Sequence, residues 1–87
     1  MFLCKYCLEQ FEDEHLAYVL IPESRMRHPA ADAFAFKFCS RAHLVAFLQR
    51  ITHQHQPYAL TKVSGDRRET YPAAPPLELL HQMSQIA

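Results

Sequence analysis

The chain has 87 residues, 49% of them apolar, with nine basic and nine acidic side chains, which suits one compact domain and leaves no room for two. A domain of this size buries only roughly 60–65% of its unfolded surface, so a staple beyond the apolar core is expected, and in a reduced compartment that staple is usually a metal. The balanced charge excludes the overall field of a polyanion-coating protein. No run approaches the roughly 18 apolar residues of a membrane span, and Met1 to Lys5 lacks the order of a signal segment, which predicts a soluble, cytoplasmic chain.

In chain order, Phe2 to Phe11 carries Cys4-Lys5-Tyr6-Cys7, whose two-residue gap lets both sulfurs converge from one tight turn and reads as a knuckle. Glu9, Glu12, Asp13 and Glu14 form a short acidic, solvated turn. His15 to Pro22 is aromatic and aliphatic and closed by proline, which predicts a strand. Glu23 to Asp32 lacks apolar periodicity and reads as a surface loop. Ala33 to Phe38 alternates Phe with small or polar residues, the period-two pattern of a half-buried strand. The two strands suggest a hairpin whose second strand delivers Cys39.

Ser40 is a good N-cap for a helix from Arg41 to about Gln54, where Leu44, Phe47, Leu48 and Ile51 share one face. Tyr58 to Val63 predicts another strand, and Ser64-Gly65-Asp66 a turn around the only glycine. Tyr71 to Pro76, with three prolines, reads as irregular. Leu77 to Ile86 suits a short amphipathic helix using Leu77, Leu80, Met83 and Ile86, with Pro76 in its first turn. Residues 1–56 then form the metal-binding domain, and 57–87 an extension packing on it or on a partner.

Three cysteines fit a closed disulfide set poorly and fit three thiolates plus an imidazole well. The pattern is C-x2-C, then 31 residues, then C-x3-H. A C-x3-H step at a strand-to-helix junction puts Cys39 just before the helix and His43 on its first turn, so both face one point. The helix N-terminus favours the negative charge of a zinc bound by three thiolates.

The segments Cys4-x-x-Cys7-x-x-x-Phe11 and Phe38-Cys39-Ser40-x-x-His43-x-x-x-Phe47 resemble treble-clef zinc fingers of the TRASH and MYM type, over roughly residues 2–50. The resemblance implies an α+β, zinc-stapled fold of knuckle, hairpin and helix. It also implies one structural Zn2+ held by Cys4, Cys7, Cys39 and His43. One departure is Leu8, where many such knuckles have glycine, so this turn differs or bears strain.

A redox C-x-x-C wants a helix start in a βαβ setting, which is absent here. His15 and His28 are alternative fourth ligands without a helix register that meets Cys39. His53 and His55 offer H-x-H spacing for a second metal, or a solvated helix C-terminus. Phe34, Phe36, Phe38 and Phe47 suit a core better than base stacking.

Four protein ligands close the metal to substrate, and neither H-E-x-x-H nor the deaminase signature occurs, so no enzyme is expected. The favoured function is a zinc-dependent interaction or regulatory module binding another protein or a second copy of itself. Nucleic-acid binding through Arg25, Arg27, Lys62, Arg67 and Arg68 is the first alternative, should the fold bring these loops together. Heavy-metal sensing or delivery is the second, since three thiolates also suit copper(I).

Overall fold

The computed structural model describes residues 1–85. Along the chain lie β1 (Phe2–Leu3), β2 (Gln10–Phe11), β3 (Tyr18–Pro22), β4 (Phe36–Phe38), α1 (Arg41–Arg50), β5 (Tyr58–Ser64), β6 (Arg67–Ala74) and α2 (Pro76–Met83). Single 3-10 turns occupy Asp13–His15, Glu23–Arg25 and Ala31–Phe34. β1 and β2 pair as a short ribbon, and the remaining strands form one antiparallel sheet in the order β4-β3-β5-β6. The architecture is α+β.

Period-two patterning decides the sheet's faces. Tyr18 lies opposite Phe38 and Lys62, and Leu20 opposite Phe36 and Leu60, so Tyr18, Leu20, Phe38, Tyr58 and Leu60 share the face under the helices. Leu44 and Leu48 of α1 and Leu79 and Met83 of α2 complete the buried cluster. Burying an aliphatic side chain fully is worth about 1.5–3 kcal/mol, so these four residues anchor the helices to the sheet. The helices run antiparallel. The Arg41 guanidinium, in the first turn of α1, donates to the Met83 carbonyl at the end of α2.

The expected hairpin forms, since β3 pairs antiparallel with β4, but both strands are shorter than the pattern suggests. Asp13–His15 and Ala31–Phe34 curl into 3-10 turns instead of extending the strands. Helix α1 stops at Arg50 and not near Gln54. Ile51 leaves helical geometry at φ −117°, its N–H closing on Leu48 at 3.1 Å, where the β-branched pair Ile51 and Thr52 gives a helix little support.

Residues 57–85 add two strands to the sheet and lay α2 on α1. The segment expected to be irregular from Tyr71 is β-strand as far as Ala74. Pro72 is tolerated because β6 is an edge strand with a bulge at this point: Leu60 faces Tyr71 and Tyr58 faces Ala74, leaving Pro72 and Ala73 opposite Ala59 alone. Helix α2 turns its face inward as expected at Met83 and, in part, at Leu80, but not at Leu77. Pro76, Leu79 and Met83 are buried whereas Leu77 is exposed. The expected use of Ile86 lies outside the described residues.

Candidate metal centre

The centre is assembled from three elements. The β1–β2 ribbon closes on itself, the Leu8 N–H donating to the Cys4 carbonyl at 2.9 Å and the Cys4 N–H to the Glu9 carbonyl at 3.0 Å. Leu8 completes the turn at φ 63°, in the left-handed region where a side chain costs about 1–2 kcal/mol. The strain foreseen at this departure from glycine is therefore present. The ribbon is tied to β4 by the Lys5 N–H, which donates to the Lys37 carbonyl at 2.8 Å, and by the Lys5 ammonium, 4.8 Å from the centre of the Phe36 ring.

β4 ends at Phe38 and passes directly to Cys39. Ser40, extended at φ −158°, then caps α1, its hydroxyl accepting the His43 N–H at 3.2 Å. This cap fixes the first turn and aims His43 back at Cys39. The Cys39 sulfur lies 3.1 Å from His43 Nδ1, and the Cys4 sulfur lies 3.8 Å from the same nitrogen.

The four ligand atoms of Cys4, Cys7, Cys39 and His43 all lie within 4.8 Å of one another. Zinc at about 2.3 Å from sulfur and about 2.0–2.1 Å from nitrogen implies sulfur–nitrogen edges of about 3.6 Å and sulfur–sulfur edges of about 3.8 Å in a tetrahedron. The observed 3.1 and 3.8 Å bracket that edge, so donor type and spacing both fit such an ion. Cys4 is wholly buried, while Cys7, Cys39 and His43 are half-buried.

Electrostatics differ from one thiol to the next. Burial opposes a thiolate at Cys4, but backbone hydrogen bonds from Cys7, Cys39 and Tyr6, with help from the His43 ring, outweigh it and bring the pKa from 9.0 down to about 6. Cys39 moves the other way, raised to about 11 by burial and then by the neighbouring Cys4 and Cys7 sulfurs. Three crowded sulfurs do not share negative charge without a cation among them, which is the condition a divalent metal relieves.

The other sequence candidates lie elsewhere. His15 packs on Phe11 with ring centres 6.2 Å apart, and His28 accepts the Ala30 N–H at 3.0 Å and meets Phe34 edge-on. Among the described residues no second cluster of metal-ligating side chains includes His53 or His55. Phe36, Phe38 and Phe47 pack together against the core. Phe34 instead lies in the loop beneath Arg25, 4.7 Å from its ring centre.

The register also places the basic residues. Pro22 faces Tyr58 and Tyr18 faces Lys62, so Arg25 and Arg27 follow one end of β3 while Lys62, Arg67 and Arg68 gather at the other. The sequence gives no local signal for two further residues at the centre. The Tyr6 ring lies 5.2 Å from the His43 ring, and the Arg50 guanidinium lies 4.6 Å from the Tyr6 ring centre. No family model, curated protein or solved structure matches the chain.

Proposed function

We propose that this chain is a zinc-stapled interaction module of treble-clef type, in which Cys4, Cys7, Cys39 and His43 hold one structural Zn2+ and the domain acts by docking on another protein. The observation that carries the reading is the convergence of three thiols and an imidazole from ribbon, strand end and helix start within 4.8 Å. Four protein donors leave a tetrahedral zinc no open position for water or substrate, which favours a structural over a catalytic role.

Docking is supported by what the metal would hold in place. The ribbon and the residue before it carry three of the most exposed large apolar side chains among the described residues, Met1, Leu3 and Leu8, and apolar side chains concentrated on a rigid surface mark contact sites. Protein is favoured over nucleic acid because the two basic groups sit at opposite ends of the sheet, so no single phosphate-binding patch gathers them.

The test is elemental analysis with native mass on protein purified without added metal, followed by chelation under circular dichroism. One zinc per chain, removed only with loss of fold, is the expected result. A folded, metal-free protein, or one that selects copper, overturns the structural-zinc reading.

A further inference from the structure

The candidate ligands are protected unequally. Cys4 is wholly buried in the core, whereas His43 is half-buried and meets an aromatic ring. Tyr6, between the two ribbon cysteines, lays its ring on the His43 imidazole at 5.2 Å with a 37° tilt. Arg50 holds that ring in turn, its guanidinium 4.6 Å from the ring centre and its Nη2–H donating to the Tyr6 hydroxyl at 3.5 Å. His43 and Arg50 are seven positions apart, two helical turns, so they share one face of α1 and the Tyr6 ring spans it. The metal ligand, an aromatic ring and a guanidinium thus form a continuous stack over the outer side of the centre.

We propose that Tyr6, latched by Arg50, is a cover that controls how fast an incoming ligand takes the metal. The inference rests on the metal reading above. An external thiol or chelator removes zinc by bonding to it before the protein ligands leave, and for that it must pass the outer shell. With the stack closed the ring occupies the His43 approach; with the stack parted, by rotation about the Tyr6 side-chain torsions, the approach opens. Tyr6 and Arg50 are positioning residues that donate nothing to the ion. An aromatic–guanidinium contact at an exposed site is worth only about 0.5–1 kcal/mol, so the cover opens readily and sets a rate without locking the metal in.

The experiment measures zinc transfer from the loaded full chain to a chromophoric chelator at several chelator concentrations. The slope of rate against chelator reports assisted attack, and the intercept reports spontaneous loss. Tyr6→Ala is expected to raise the slope about threefold to sixfold, the limit for removing a cover held closed by about 0.5–1 kcal/mol, with the intercept within about twofold of wild type. Tyr6→Phe keeps the ring and is expected to match wild type, and Arg50→Ala to fall between. Equal slopes for Tyr6→Ala and wild type, or a rise confined to the intercept, overturn the cover and leave the metal reading standing. A wild-type chain that takes up no zinc overturns both.

Discussion

Cys39 and His43 stand one helical turn apart with sulfur and Nδ1 at 3.1 Å, a pairing made by the Ser40 cap and not by any long-range contact. Because the helix start sets it, the pair closes the tetrahedron that the two ribbon cysteines begin, and removing either donor leaves a zinc only three protein ligands. Structural zinc contributes on the order of 10 kcal/mol of coupled binding and folding energy, comparable with the whole net stability of about 5–15 kcal/mol of an ordinary domain. Cys39→Ser and His43→Ala are therefore expected to bind zinc far more weakly and to lose most of their secondary structure by circular dichroism. A Cys39→Ser chain that stays folded and metal-loaded would sink the ligand assignment.

The two shifted thiols give zinc uptake a defined proton count. Cys4, depressed to about 6, enters the site as thiolate at pH 7.5, whereas Cys39, raised to about 11, must release a proton. Below pH 6 Cys4 binds a proton as well, and uptake displaces one more. For the small folded fraction of the metal-free chain the signs are opposed: the Cys4 contribution is full above its unfolded value of 9.0 and is lost as pH falls through about 6, while the Cys39 contribution is full below 9.0 and is lost as pH rises through about 11. Calorimetric titration in buffers of different ionisation heat is expected to show proton release on uptake at pH 7.5 and a larger release at pH 5, where Cys4 and the His43 ring must give up any proton they hold. A release that does not grow as pH falls contradicts the assignment of Cys4 as the low thiol.

The donor set was legible because its information is local. C-x-x-C makes a knuckle and C-x-x-x-H spans one helical turn, so only the meeting of the two halves depended on the fold. The alternating Phe36 and Phe38 and the Leu44 and Leu48 stripe were readable for the same reason. Strand β6 was not, since Pro72 carries a breaker signal that only its edge position and bulge cancel. The Tyr6–Arg50 contact joins residues 44 positions apart, and neither position has a periodicity that points to the other. On α2 the sequence points correctly to Met83 and Leu80 but to Leu77 in place of Leu79, because Leu77, Leu79 and Leu80 support two different stripes over a helix of eight residues. Burial of Pro76 and Leu79, with Leu77 exposed, decides between those stripes.

That choice is testable by substitution on each face. Leu79 is fully buried among the core residues whereas Leu77 is 53% exposed. Leu79→Ala is expected to cost about 2–5 kcal/mol, the range for a core leucine whose cavity closes only in part. Leu77→Ala is expected within about 0.5 kcal/mol of wild type, as for an ordinary surface change. Urea unfolding of zinc-loaded protein measures both. A larger loss at Leu77 than at Leu79 would restore the face expected from sequence and contradict the packing of α2 on α1.

Leu8 offers the opposite kind of change, one that stabilises. It holds φ 63° in the knuckle turn and its side chain is 66% exposed, so little packing offsets the left-handed strain of about 1–2 kcal/mol. Glycine removes that strain and adds roughly 0.5–1 kcal/mol of unfolded-chain entropy. The difference favours Leu8→Gly by about 0.5–1 kcal/mol, which in a domain near 90 residues raises the melting temperature by a few degrees. Thermal unfolding of the zinc-loaded protein reads the shift directly. If the variant melts lower than wild type, the leucine makes contacts worth more than its backbone strain. If it melts higher yet loses affinity for a docking partner, the leucine is retained at the knuckle for that contact and not for the fold.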